Sequence, residues 1–180
     1  MFRRWLVIGA CAALTACAGV NTALQPEPTA IAMLAPTEGN TASGVVEFQQ
    51  DGDEMHVRIR IEGLTPNARH GLHIHELGDC RAPDASSAGG HFNPQGSEHG
   101  GPEDAIRHAG DLGNVRSDAN GLAQSEITVT GISLGTGGDS IVGRSVIVHA
   151  KPDDLTSQPS GNAGPRIACG LISKNPDKFF

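Results

Sequence analysis

One stretch of this 180-residue chain restricts its fold more than any other. His73 to Asp111 carries five of the eight histidines, as Gly71-Leu72-His73-Ile74-His75, His91-Phe92-Asn93-Pro94, His99-Gly100-Gly101-Pro102 and His108-Ala109-Gly110-Asp111. Imidazole and carboxylate are ligands for first-row metals. On a strand, His73 and His75 leave one face while Leu72 and Ile74 leave the other, which places two nitrogen donors side by side. His91, His99, His108 and Asp111 lie instead among Gly, Pro, Asn and Ser, a composition that reads as a long irregular loop. Loops beyond about 15 residues without secondary structure are uncommon unless something orders them. A bound metal supplies that order, because ligation energy is folding energy. Three His and one Asp make a closed tetrahedral set suited to zinc.

The rest of the chain reads as all-β. Met55 to Glu62 alternates apolar and polar residues, the pattern of a half-buried antiparallel strand. Asp51-Gly52 before it and Thr65-Pro66-Asn67 after it are turn signals. Ser43 to Gln49, Arg69 to His75, Asn114 to Ser117, Leu122 to Val129, Arg144 to Ala150 and Ala168 to Ser173 are further short strands, and Asn120-Gly121 is the clearest hairpin turn. No window shows sustained helical periodicity, and 24 Gly with 11 Pro argue the same way. The expected architecture is a Greek-key β-sandwich or flattened barrel with immunoglobulin-like architecture and a long metal-binding loop.

The first residues read as an address rather than as fold. Arg3 and Arg4, the apolar run Trp5 to Ala13 and the small residues after it form an export signal over residues 1–16, too short to span a bilayer. Leu14-Thr15-Ala16-Cys17 resembles the lipobox of bacterial lipoproteins, which implies cleavage before Cys17 and a lipid on its sulfur. Ala18 after the cysteine then points to the periplasmic side of the outer membrane. An ordinary secretory signal, giving a soluble periplasmic protein, is the plainer alternative. Residues 17–29 read as a tether and 30–180 as the domain. Formal net charge is −7 and becomes more negative once the signal leaves, taking the sole Trp with it. A chain so acidic and so poor in aromatic residues lacks both the basic footprint and the stacking platform that nucleic acid requires.

Six segments, in order, resemble the copper/zinc superoxide dismutase family. They are Gly71 to Glu76, Gly90 to Pro94, His99 to Pro102, Arg107 to Asn114, Gly143 to His149 and Gly161 to Gly170, and the resemblance runs from about Ala30 to Ser173. It implies copper on His73, His75, His91 and His149, and zinc on His91, His99, His108 and Asp111. His91 is then shared as a bridging imidazolate. It also implies that Arg166 holds the superoxide anion and that Asp153 links His73 to His99 behind the metals. Superoxide is then dismutated by alternate reduction and reoxidation of copper, yielding dioxygen and hydrogen peroxide, with His91 also carrying a proton. A guanidinium fork suits a small anion and keeps its charge. His149 taken alone, at the end of an apolar strand, reads more readily as a satisfied core or edge histidine than as a ligand; its position in Gly-Arg-x-x-x-Val-His makes it a ligand by the resemblance. His56 and His70 have no counterpart among the family's ligands, and His56 falls on a polar strand face, where solvent is expected.

Once the export signal has taken Cys11 and lipid has taken Cys17, Cys80 and Cys169 remain. In an oxidising compartment two cysteines have one pairing. Two departures from the family stand out. The segment from His149 to Arg166 contains one lysine, Lys151, so the lysine-rich guidance loop of the animal enzymes is not evident; Arg81, Lys151 and Arg166 are the candidates for local positive charge. The loop Arg81 to Gly90 is longer than in animal forms and looks bacterial, and bacterial members include homodimers and monomers. The rival readings are a periplasmic metal buffer without turnover, which needs neither Arg166 nor Asp153, and a structural sandwich with decayed sites, which predicts damaged ligand segments.

Overall fold

The alternation in Met55 to Glu62 decides the central wall of the molecule. In the computed structural model, which describes residues 29–174, β3 (Glu54–Glu62) buries Met55, Val57, Ile59 and Ile61 and turns its polar residues outward. The other strands are β1 (Thr29–Pro36), β2 (Ser43–Asp51), β4 (Arg69–His75), β5 (Asp111–Arg116), β6 (Ala123–Thr130), β7 (Ser145–His149) and β8 (Arg166–Ser173). They form one eight-stranded sheet in the order β5-β4-β7-β8-β1-β2-β3-β6, with every paired neighbour antiparallel. β5 and β6 stand at its two edges and approach each other without pairing, which nearly closes a barrel. The chain leaves β3 for β4 and β6 for β7 across this barrel, a Greek-key path. A single 3₁₀ turn, Ser86–Ala88, is the only helix among the described residues.

The barrel interior holds Phe48, Met55, Ile61, Leu72, Ile74 and Ile172, each almost fully buried. Burying side chains of this size contributes roughly 1.5–3 kcal/mol apiece before conformational entropy is set against it. β4 is buried on both faces: Leu72 and Ile74 enter the core, while His73 and His75 sit under the loops. A second, small cluster of Ala85, Ala88, Ile147 and Cys169 seats the loop after β4 on the outside of β7 and β8. The Cys80–Cys169 disulfide fastens that loop across a sequence separation of 89 residues.

Several sequence expectations need correction. β1 was not foreseen as a strand, because its buried residues are Ala30, Ala32 and Leu34 while Ile31 and Met33 face outward; small residues inside and apolar ones outside erase the alternation. Asn120-Gly121 makes a turn but not a hairpin. Asp118 Oδ1 accepts the N–H groups of both Asn120 and Leu122, and the corner so formed carries the chain between the two sheet edges. The two-residue hairpin lies at Gly52-Asp53, between the paired residues Asp51 and Glu54. Asp111 opens strand β5 and Arg166 opens β8, so neither belongs to a loop. His56 is half-buried, with Nδ1 3.1 Å from Thr128 Oγ1 on the neighbouring strand. The export segment, Cys17 and the tether as far as Pro28 lie outside the described residues.

Candidate metal centre

Strand β4 sets the site. His73 and His75 leave its outer face, and the ladder with β7 places His149 at the end of the neighbouring strand. The loop from Gly90 then crosses beneath them. An isolated bridge joins His75 to His91, Phe92 N–H donates to Ile74 O (2.8 Å), and Gly110 N–H donates to Phe92 O (2.9 Å). Gly110 must be glycine here, since a Cβ would strike the Ile74 carbonyl. Arg144 clamps the crossing from outside, its guanidinium 3.6 Å from the Phe92 ring centroid and donating to Glu76 O (2.7 Å). Such a cation over an aromatic face is worth roughly 0.5–2 kcal/mol.

Two ligand sets result. One atom from each of His73, His75, His91 and His149 lies within 4.8 Å of the others, and the same holds for His91, His99, His108 and Asp111. His91 belongs to both, and all seven residues are buried.

The hydrogen bonds behind these rings fix which nitrogen faces inward. His75 Nδ1–H donates to Gly89 O (2.9 Å) and His149 Nδ1–H to Gly164 O (3.0 Å). His73 Nε2–H donates to Asp153 Oδ2 (2.8 Å), and His99 Nε2–H donates to the other oxygen of the same carboxylate (2.9 Å). The opposite nitrogens, His73 Nδ1, His75 Nε2 and His149 Nε2, are buried without a hydrogen-bond partner, as is His91 Nε2. An unsatisfied buried acceptor costs about 1–3 kcal/mol. Four that converge repel one another, and a cation satisfies all four at once. In the second set His99 Nδ1 lies 3.0 Å from Asp111 Oδ2 without hydrogen-bond geometry, and His91 Nδ1 lies 2.8 Å from Asp111 Oδ1. Those donors also point at a common centre.

The electrostatics favour ligation. Burial, reinforced by the neighbouring imidazoles of His91 and His149, pushes His73 well below the usual histidine range. Burial does the same to His75, and takes His149 down to about 4. His108 is lowered by the same cause. Neutral imidazole is the form that binds metal. Burial alone would raise Asp111, but hydrogen bonding and charge from His91 outweigh it and hold the carboxyl well below its ordinary value.

Arg166 lines a cleft of about 430 Å³ together with His75, His91 and His149. Its guanidinium donates to Ala85 O (2.6 Å) and Gly89 O (2.7 Å), both in the loop that the disulfide holds. Gly89 O therefore fixes the His75 ring and the Arg166 fork together. Arg81, by contrast, pairs with Asp79 (2.6 Å) on the exposed side of that loop, and Lys151 lays its carbon chain against Gly164.

Several supporting residues escaped the sequence. Asn114 holds the Asp153 backbone at both ends: Nδ2–H donates to Asp153 O (2.9 Å) and Oδ1 accepts from Asp153 N–H (2.8 Å). Gln158 brackets His99 in the same manner. Gly161 leaves room behind His99, since a Cβ there would collide with Asp153 Oδ1. Asn114 lies in one of the segments that carry the family resemblance, yet nothing in the sequence announces a partner 39 residues away. Such partners orient ligands and are costly to remove.

A family model described as copper/zinc superoxide dismutase matches residues 42–172, from the end of the β1–β2 turn into β8. The matched span covers well over half of the chain and includes both ligand sets, Asp153, Arg166 and the disulfide. Oxidoreductase chemistry with copper and zinc follows from that membership, and the buried, inward-facing donors fit both metals. The chain belongs to the copper/zinc superoxide dismutase family.

Proposed function

We propose that His73, His75, His91 and His149 hold copper, that His91, His99, His108 and Asp111 hold zinc, and that the site dismutates superoxide in the cell envelope. Four imidazole nitrogens suit the tetragonal preference of copper(II), and a set with one carboxylate suits tetrahedral zinc. Copper would supply one-electron redox chemistry there, while zinc would hold the loop and the far nitrogen of His91. The observation that carries the reading is the shared His91 between two buried ligand sets, at the floor of a cleft that Arg166 lines.

The residues of this chain have separable tasks. Arg166 presents a guanidinium held in place by bonds from its two terminal nitrogens to Ala85 O and Gly89 O, so its remaining N–H groups receive a small anion without rearranging. His91, with one nitrogen in each ligand set, is placed to accept a proton and pass it on. Two superoxide anions and two protons give one dioxygen and one hydrogen peroxide. Asp153 keeps His73 and His99 in the tautomers that leave their Nδ1 atoms free.

The test is superoxide decay after pulse radiolysis, on protein loaded with one copper and one zinc, beside Arg166→Ala. Removing the fork lowers the rate by about tenfold to a hundredfold, the usual range for loss of steering charge. Decay no faster than with free copper, despite stoichiometric binding of both metals, overturns the reading in favour of a metal buffer.

The address at the N-terminus supports export and lipidation at Cys17. Labelling with a radioactive fatty acid should mark the wild-type chain and not Cys17→Ala, and the variant should move from membrane to soluble periplasm. A wild-type chain that takes no label is a secreted protein instead.

A further inference from the structure

Gly89 O is shared between a candidate ligand and the residue that lines the cleft above it. His75 Nδ1–H donates to it at 2.9 Å and Arg166 Nη2–H at 2.7 Å. The orientation of one peptide unit, Gly89–Gly90, therefore aims both groups. That unit has little of its own to hold it. Gly89 has φ 75° and ψ −153°, a conformation in which only glycine is at ease. With glycine on both sides, the peptide turns over at low cost. Turned over, it would present an N–H to two donors and lose both bonds.

The other end of the same unit is held by Glu76. Gly90 N–H donates to Glu76 Oε1 (3.1 Å), while Glu76 N–H donates to Gly90 O (2.9 Å). The side chain closes over the turn so tightly that a Cβ on Gly89 would strike the carboxylate. Glu76 is itself well placed: it directly follows His75 at the end of β4, and its carbonyl accepts from Arg144. It belongs to neither ligand set.

We infer that Glu76 is a positioning residue for His75 and Arg166 together: its carboxylate holds the Gly90 N–H and so keeps the Gly89 carbonyl turned toward the cleft, where it fixes one ring and one guanidinium. The inference rests on the roles proposed above for those two residues. It requires an acceptor at Oε1 and no charge. Glutamine keeps the acceptor and drops the charge, whereas methionine has similar length, no charge and only a weak acceptor. Comparing these two at equal net charge cancels any change in the attraction of the cleft for an anion. The backbone bonds of residue 76 remain available in both.

The experiment compares wild type, Glu76→Gln and Glu76→Met, each loaded with one copper and one zinc. Superoxide decay is one readout. The other is ¹⁵N NMR of the Gly89 and Gly90 amides, with the copper reduced so that it carries no unpaired electron. Methionine should slow decay about tenfold, the lower end of what removing a partner behind a site residue costs. Its Gly89 and Gly90 signals should broaden through microsecond-to-millisecond exchange as the peptide turns over. Glutamine should restore both the rate and the sharp signals. A methionine protein whose Gly90 amide stays sharp and unshifted overturns the inference, as does a broadened amide with a wild-type rate. A glutamine protein that behaves like methionine overturns it too. Should methionine fail to fold, the wild-type amide decides: slow exchange with a scalar coupling to the Glu76 carboxylate carbon supports the inference, and free exchange defeats it. Wild-type protein that dismutates no faster than free copper would count against the proposed function instead, and the amide signals would still decide whether Glu76 sets the peptide.

Discussion

The two halves of the sheet are built by different means. β2, β3 and β6 pair in unbroken register over eight or nine residues, and β2 and β3 are joined by a two-residue turn. Their order comes from alternation: one face enters the core, the other carries charge. β4, β5 and β7 are shorter, and with β8 they carry register shifts in the β4–β5 and β7–β8 ladders and support all seven candidate ligands together with the loops that deliver them. There, order comes from particular bonds between distant residues, such as Asn114 to Asp153, Gln158 to His99 and Gly89 to both His75 and Arg166. The first half is a scaffold that any adequate apolar pattern would form. The second has donors whose lone pairs converge, and it reaches its lowest energy only with cations between them.

The largest effect that can break this comparison is metal removal. Ligation of this type is worth on the order of 10 kcal/mol to the elements it orders. Stripping both metals should accelerate amide exchange at least about a hundredfold in residues 91–114 and 149–166, while amides of β2, β3 and β6 keep most of their protection. Hydrogen-exchange mass spectrometry on loaded and stripped protein measures it. Equal acceleration in both halves would show that the barrel depends on the metals throughout, and the division would fall.

Acid should separate the halves as well, with a smaller effect. In stripped protein His149 titrates near 4 rather than at the ordinary 6.5, because burial disfavours its charged form, and His73, His75 and His108 are lowered for the same reason. Below pH 6.5 the unfolded chain therefore binds protons that the folded chain refuses. This contribution is fully present above about pH 6.5 and is lost as the pH falls toward 4. For His149 alone the loss amounts to on the order of 3 kcal/mol. The urea midpoint of stripped protein should be level from pH 8 to 7 and then fall steeply, and bound metal should carry the fall to lower pH. A midpoint indifferent to pH between 6.5 and 4 would mean that these imidazoles are not held neutral in the fold.

The same division explains what could be read in advance. The alternation of Met55 to Glu62 and the close spacing of His73 and His75 are local signals, and both survive into the structure. The set His91, His99, His108 and Asp111 lies within one stretch and was legible there, whereas the all-histidine set came from a resemblance across six segments: His149 is 58 residues beyond His91, and only the fold joins them. β1 was illegible since Ala30 and Ala32 are too small to mark an inward face. Asn120-Gly121 misled, because a turn signal states how the backbone bends and not which strands pair afterwards. Asn114, Gln158 and the carbonyls of Ala85, Gly89 and Gly164 were invisible for a deeper reason: backbone groups carry no letter of their own.

The smallest expected effect sharpens the comparison from the scaffold side. Arg58 stands on the outer face of β3, 4.0 Å from Glu47 on β2 and 3.6 Å from Glu126 on β6, in a row where the three residues are cross-strand partners. All three side chains are more than half exposed, so water and salt screen the pairing and each pair contributes at most about 1 kcal/mol. If the scaffold depends on burial rather than on specific bonds, Arg58→Ala should cost about 0.5 kcal/mol or less, shrink further in 0.5 M salt, and leave copper and zinc content unchanged. Urea denaturation with metal analysis of the folded protein checks both parts. A loss several times larger that persists in salt would mean that this wall too is held by specific interactions, and the contrast with the metal-bearing half would be one of degree.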